Sequence, residues 1–457
     1  MSKIRIFIDF GSTFTKVVAF DLEAEELVSR VQVPSTVDRD ITIGLEEAFA
    51  RMSGEIDIGE AEKRQAVACS SAAGGLRVVC VGLVTEYTTE AARMAALGAG
   101  AKLVGVYSFE LAKSEVAEIE AIAPDIVLLT GGTNGGNKKV IVHNAAMLAK
   151  AGSGVSNIIV AGNKSANDEI KDIFAGSAKN VIYTKNVMPE IGVLDVESAN
   201  QKIRELFINR ITEAKGVARV KAMINDVIMP TPSAVLEAAR LMADGRPGCP
   251  GLGELILVDV GGATTDVYSI ARGVPTGSGV TPTGLPEPYA KRTVEGDLGL
   301  VHNLESLKEI ARSGELPASF EETVRTFCEI GGIPTGNEQV ECHSLLSHLA
   351  VRTAVDRHVG RIEVRVYPHG EVLLQRGKDL TRAQWVVGSG GPVSFARDPR
   401  RILAGALFQE SHPALLKPKT PKMLVDHNYI LFALGLLAQS EPAKALNMIK
   451  KYMTPAC

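Results

Sequence analysis

No stretch of this sequence is apolar for long enough to cross a bilayer. Its longest late run, Tyr429–Ala438, falls far short of the roughly 20 residues a spanning helix needs. A secretory leader is not expected either, because Asp9 interrupts the first apolar run after only a few residues. A basic stripe is also missing: 49 Lys and Arg stand against 53 Asp and Glu, a formal net charge of −4, which argues against nucleic-acid binding. The six cysteines (Cys69, Cys80, Cys249, Cys328, Cys342, Cys457) form no CxxC pair. Isolated thiols are expected, with neither disulfides nor zinc ligation. With 46% hydrophobic residues in 457, the chain can bury two or three ordinary cores. A cytoplasmic protein with no nucleic acid and no membrane as partner is the expectation.

What the chain does have is one motif written twice. Leu255–Ile270 reads LILVDVGGATTDVYSI: an apolar run enters Asp259, Gly261 and Gly262 turn the chain, and a second apolar alternation leaves past Asp266. Two β-runs joined by a glycine turn predict a hairpin. Its turn leaves backbone N–H groups pointing outward with no bulky side chain in front of them, a cradle for phosphate. Asp259 and Asp266 flank that cradle, and carboxylates beside phosphate make chemical sense when Mg2+ sits between them. Thr264 and Thr265 add hydroxyls. The N-terminal stretch Ile4–Asp21, IRIFIDFGSTFTKVVAFD, repeats the design at a constant offset, matching Asp9 to Asp259, Gly11 to Gly261 and Thr15 to Thr265. One DxG is ordinary turn chemistry. Two, each entered by a hydrophobic strand, imply related domains facing each other, with phosphate in the cleft between them.

Residues 1–75 are expected to open the first domain, with a third strand at Leu27–Val33, a helix from Ile43 to about Met52, a strand at Ala66–Ser70 and a turn over 71–75. From 76 to 193 continuous apolar strands alternate with helices, which indicates a parallel sheet covered on both faces, an inserted doubly wound subdomain. Within it, Asp125–Asn137 (DIVLLTGGTNGGN) places glycines between a buried strand and a helix. They either bind an anion or cofactor edge or simply turn the chain, and neither a Walker lysine–serine nor a GxGxxG fingerprint accompanies them. Residues 194–253 are expected to return to the first domain through a helix capped by Ser233. Residues 254–425 are expected to form the second domain with a helical subdomain, and 426–457 an apolar helix, Asp426–Gln439, whose small residues allow close packing on another helix. Gly273–Tyr289 reads as an exposed loop, and Arg361–Gln375 as a hairpin around Pro368 and Gly370.

The paired hairpins resemble those of the actin-like ATPase superfamily. More narrowly, IDFGSTFTKVVAFD, LLTGGTNGGN, VDVGGATTDVYS and RTVEGDLG, in this order, resemble the glutamate mutase accessory family, called MutL or GlmL, over essentially the whole chain. The resemblance implies an α/β protein of duplicated ribonuclease-H-like fold with a Rossmann-like insert, binding ATP with Mg2+ between two domains. It implies that Asp9 and Asp259 hold the water shell of Mg2+, and that Asp266 orients the attacking water or the metal. Gly11, Ser12, Thr13, Gly261, Gly262 and Thr264 would meet phosphate. Asp297, with Glu295 as helper, would approach the nucleotide or else merely favour a helix start. Gly388, Gly390 and Gly391 of WVVGSGGP would lie against adenine and ribose. Lys16, where the later hairpin has Asp266, is left open between neutralising phosphate and pairing on the surface. The cluster Arg397, Arg400, Arg401 is expected to be a solvated helix start. The implied role is that of an ATP-driven chaperone or reactivating factor, and the implied partner is an adenosylcobalamin-dependent mutase whose damaged cofactor is exchanged. A homo-oligomer is left open. A small-molecule kinase and an actin-like structural ATPase are the alternatives on the same scaffold.

Overall fold

The computed structural model describes residues 4–456, apart from 37–38, 72–75, 214–218, 221–222, 302, 312–319, 321, 324, 326–333, 335 and 369. Most of the turn expected over 71–75 lies outside the described residues.

The chain begins with β1 (Ile4–Phe10), β2 (Phe14–Asp21) and β3 (Glu26–Pro34), an antiparallel meander, followed by β4 (Val67–Ser70) parallel to β1. Period-two alternation sends the side chains of β1 to two different cores. Ile6, Ile8 and Phe10 pack under the helix Ile41–Ser53 with Leu45, Phe49 and Met52. Phe7 points the other way and joins Phe20 of β2.

Five strands then form a wholly parallel sheet of their own: β5 (Arg77–Gly82), β6 (Lys102–Ser108), β7 (Ile126–Leu129), β8 (Asn157–Val160) and β9 (Asn180–Tyr183), in the order β6-β5-β7-β8-β9. One face buries Val79, Val81, Val127 and Leu129 beneath its own helices. The opposite face, with Val78, Cys80, Ile126 and Leu128, shares a single continuous core with Ile6, Ile8 and Phe10 of the first sheet. The doubly wound subdomain is therefore fused to the first domain through common packing.

After it, β10 (Asp226–Pro230) returns and completes the first sheet as β10-β4-β1-β2-β3. A two-strand link, β11 (Gly245–Arg246) and β12 (Cys249–Pro250), leads into β13 (Leu255–Val260) and β14 (Thr265–Ile270), the second hairpin. The excursion that follows is not all loop. It contributes β15 (Val280–Thr283), which lies parallel to β18 of a hairpin made by β17 (Arg361–Tyr367) and β18 (Gly370–Arg376). Surrounding glycines and Pro282 concealed it, and proline is tolerated because β15 is an edge strand. With β16 (Ala290–Glu295), β19 (Trp385–Ser389), β20 (Lys422–Val425) and β21 (Thr454–Pro455), the second sheet reads β16-β14-β13-β19-β20-β21. Its first five strands repeat the order and directions of the first sheet. This is the duplicated ribonuclease-H-like, actin-like ATPase fold with an α/β insert.

Two helices are sandwiched between the sheets, Thr231–Asp244 and Leu431–Ala438. The core around them collects Phe7 and Phe20 from one sheet and Leu255, Leu257, Tyr268 and Ile270 from the other. The first helix starts at Thr231, two residues before the expected cap. Pro232 tolerates its missing N–H in the first turn, while the Ser233 hydroxyl turns inward and donates to the Ala99 carbonyl at 3.2 Å. The second helix starts at Leu431, later than the apolar pattern suggests. Asp426 accepts from the Ile430 and Leu431 N–H groups at 3.0 and 2.9 Å, and Tyr429 at φ +52° breaks the backbone before them. Where the helices cross, a Cβ added to Gly435 would lie 1.8 Å from the Ala234 carbonyl oxygen. Gly435→Ala should therefore force the helices apart and cost about 1–3 kcal/mol, the usual price of overpacking. Thermal unfolding reads this directly, with Gly176→Ala as a control, since nothing lies within 4 Å of that position. Equal melting temperatures for the two variants would refute the close crossing.

Candidate functional site

The two hairpin turns are alike at the level of single atoms. Gly11 donates to the Phe14 carbonyl at 3.0 Å, and Gly261 donates to the Thr264 carbonyl at 2.9 Å. A Cβ at Gly11 would come within 2.6 Å of the carbonyl its own N–H bonds, so glycine is needed for the turn to close. The tips face each other, for a Cβ on Gly262 would stand 3.5 Å from the Thr13 hydroxyl of the opposite domain.

Between the tips opens a cavity of about 710 Å³, within the range of sites that enclose small organic ligands. Asp9, Gly11, Ser12 and Thr13 line it from one side, and Asp259, Gly261, Gly262, Thr264 and Asp266 from the other. Gly391 borders it beyond β19. Gly388 and Gly390 are not among the cavity's lining residues. Gly390, at φ +89°, sits so close to β13 that a Cβ would meet the Val260 carbonyl at 2.1 Å and the Asp259 carboxylate at 2.7 Å. Asp297 is not brought to the cavity wall. Arg357 holds it in a two-pronged pair at 2.8 and 2.9 Å, drawing its carboxyl below the ordinary range, and also binds Glu295 at 2.7 Å. Arg397 and Arg401 are exposed as expected of a helix start, yet both also border the cavity.

The duplicated register positions carry different charges. In the first hairpin Asp9 faces Lys16 across the strands; in the second Asp259 faces Asp266. Lys16 is buried and donates to Asp9 at 2.7 Å, with its ammonium 4.1 Å from the centre of the Tyr429 ring. The surface-pairing option for Lys16 is thereby removed. Burial works against its charge, but the Asp9 carboxylate outweighs that and holds the ammonium above its ordinary range. Asp9 also accepts from the Thr231 hydroxyl at 2.5 Å, and the Cys69 thiol points at it from 3.7 Å. Burial and then the Asp9 charge push that thiol well up, which keeps it protonated and inert.

The second hairpin is compensated on one side only. Asp266 receives Arg292 at 2.6 and 2.8 Å and the Thr264 hydroxyl at 3.1 Å. Among the described residues Asp259 accepts no hydrogen bond. Burial, followed by the neighbouring Asp266 charge, pushes its carboxyl up to about 7. Its ionised form has no ion-pair partner among the described residues.

Sequence reasoning missed three of these neighbours. Thr231 lies far along the chain from Asp9 and carries no local signal. Tyr429 reads only as the start of an apolar run. Arg292 had a usable signal: a cation inside a strand that alternates toward a core needs an anion, and the adjacent strand offers one. In the Thr130–Asn137 loop Asn163 accepts from the Gly135 N–H and donates to the carbonyls of Gly136 and Asn137, Asn186 donates to the Gly132 carbonyl, and Gly131, Gly132 and Gly135 turn the chain at φ +145°, +70° and +80°.

A carboxyl raised to about 7 when folded, against about 4 when unfolded, holds its proton more tightly in the native state. Its ionised form therefore opposes folding. The cost is absent below about pH 4, grows as pH rises, and is complete above about pH 7. In metal-free protein, wild type should lose melting temperature relative to Asp259→Asn across that window, and a millimolar divalent cation should close the gap. Melting curves of the two proteins that stay parallel from acid to neutral pH would contradict this account.

Comparison with known proteins gives a consistent result. A family model described as MutL protein matches residues 5–453. Protein MutL of Clostridium tetanomorphum is 42% identical over 456 residues, covering 98% of each chain. Among solved structures, gluconate kinase from Lactobacillus acidophilus aligns at TM-score 0.37 and 10% identity, over 99% of this chain and 92% of its own. The activator of 2-hydroxyisocaproyl-CoA dehydratase from Clostridium difficile, solved with bound ADPNP, aligns at TM-score 0.32 and 11% identity, over 99% and 100%. Both structural likenesses are distant, and the fold rests on the strand orders themselves.

Proposed function

The chain belongs to the MutL family of glutamate mutase accessory proteins, and from that footing we propose that it is an ATP-driven reactivating factor for an adenosylcobalamin-dependent mutase. One observation carries the nucleotide part of this reading. Two phosphate cradles face each other across one cavity, and between them stands a half-buried carboxylate, Asp259, with no ion pair or hydrogen bond among the described residues. No group of three or more His, Cys, Asp or Glu placed to cage a metal is found among the described residues, and Mg2+, which sheds water reluctantly, is seldom caged by protein alone.

Asp9 and Asp259 are the residues that would hold Mg2+, which when bound would neutralise the phosphate charge that builds during cleavage. Ser12, Thr13 and Thr264 offer hydroxyls to phosphate oxygens, and the open glycine turns offer their N–H groups. Lys16 has a double duty, neutralising Asp9 and keeping a positive charge under the phosphates. Asp266, held in one orientation by Arg292, is suited to align the attacking water. The flat backbone at Gly391 admits a base. Hydrolysis would release the link between the two sheets and let them rotate about the helices between them. A mutase that prefers one of these states is reset by the cycle. The cytoplasm, where such mutases work, is the proposed location.

Mg-ATP should raise the melting temperature through binding to the folded state. Asp266→Asn should keep affinity within a few-fold yet lose turnover by on the order of 10²-fold, because orienting water matters in the transition state. Recovery of a mutase blocked with cobalamin lacking its adenosyl group should require ATP, Mg2+ and fresh adenosylcobalamin. Stoichiometric transfer of the terminal phosphate to a small metabolite, without effect on a mutase, would instead establish the kinase reading.

A further inference from the structure

Among the described residues, the cationic side chains that line the cavity as lysine or arginine are Lys16, Lys102, Arg292, Arg397 and Arg401. Four are engaged: Lys16 with Asp9, Arg292 with Asp266, Arg397 with Asn337 and Arg401 with Glu341. The ammonium of Lys102 makes no hydrogen bond or ion pair among the described residues. It belongs to neither hairpin. Lys102 is the first residue of β6, on the inserted subdomain, and reaches the seam with the second domain. A Cβ built on Gly296 would lie 4.0 Å from its Nζ. Gly296 directly follows β16, whose Val294 is the register partner of Asp266.

The turn that carries Lys102 is held from both sides of the cleft. Arg292, while binding Asp266, also donates to the carbonyls of Leu97 and Ala101, each at 3.2 Å. On the other side Gly100, at φ +88°, packs so tightly that a Cβ would stand 2.9 Å from Pro230 and from the Ser233 hydroxyl. The residue next to Pro230 is Thr231, which binds Asp9. Residues 97–102 thus touch Arg292, the partner of Asp266, and the two residues that flank Thr231 and Pro232, Thr231 being a partner of Asp9.

We propose that Lys102 is the residue through which the insert reads the nucleotide: its ammonium binds the terminal phosphate of a nucleoside triphosphate lying between the hairpins. The proposal rests on the nucleotide reading given above. A lysine is a compact charge on a flexible stem, free to be recruited by an anion that arrives opposite it. A diphosphate lacks the group that would recruit it. Engagement of Lys102 fixes the start of β6, and β6 pairs with β5 from Lys102 to Ser108 with one irregularity at Val104, so the insert's sheet registers whether the terminal phosphate is present. By reciprocity, a protein docked on the insert that shifts this turn alters affinity for triphosphate more than for diphosphate.

The test compares full-length wild type, Lys102→Met and Lys102→Arg for binding of a non-hydrolysable Mg-ATP analogue and of Mg-ADP. Lys102→Met is expected to lose about tenfold in affinity for the triphosphate and less than about twofold for the diphosphate, the scale of one charge-assisted hydrogen bond. Lys102→Arg should recover most of the loss. In wild type the triphosphate, and not ADP, should slow amide exchange across Lys102–Ser108, and Lys102→Met should abolish that difference. Equal losses for both nucleotides, or no loss, would overturn the assignment. Wild type that binds neither nucleotide would instead refute the nucleotide reading itself, a result visible before any variant is examined.

Discussion

The rest of the structure depends on an inequality of charge at matched positions. Duplication gives each hairpin a pair of facing residues at the mouth of its turn, but one pair is Asp9 with Lys16 and the other Asp259 with Asp266. The first pair is neutral and can be buried without help. The second would repel itself, and Arg292 relieves only half of it. Desolvated like charges are expensive unless a counter-charge arrives. The apo fold is thus under electrostatic tension at one atom cluster, and any ligand that brings positive charge there binds with that relief added. The asymmetry also separates the hairpins: Asp9 has Lys16 as counter-charge, while Asp259 has no ion pair among the described residues.

The two hairpins are linked through shared packing. Both sheets press on the same pair of helices, and a common core runs from Phe7 of the first to Leu257 of the second. The glycine crossing at Gly435 leaves no room for independent sliding. In the proposed nucleotide cycle, small changes at the hairpin tips would be passed on as rotations about these helices, since packed interiors deform poorly.

Much of this was legible in the residues, and the reasons are physical. Hairpins, the parallel block and the paired motifs are encoded in short windows, where apolar periodicity and glycine position determine the outcome. That is why the residues alone point Asp9, Gly11, Asp259 and Gly261 to one cavity. Asp297 went elsewhere because an acidic residue beside a glycine says nothing of which cation the fold will bring near, and Arg357 comes from a helix about 60 residues on. Thr231 and Tyr429 were invisible for the same reason: each reaches the site by tertiary approach alone. β15 was hidden by local chemistry that reads as turn, while its pairing partner β18 lies far downstream. What short windows do not contain, they cannot reveal.

The position of β10 has a consequence for how the chain is made. The first sheet needs β10 to cover β4, yet the whole parallel subdomain is synthesised between them. As the chain leaves the ribosome, β4 waits as an open edge, the kind of surface that invites wrong partners. The insert can pair all five of its strands by Tyr183, well before Asp226 emerges. Because it shares a core with Ile6, Ile8 and Phe10, it can shelter the incomplete sheet during that interval. Order of synthesis thus lets the insert pack on its host domain before β10 arrives, and a shortened insert is expected to leave the nascent chain more prone to aggregate.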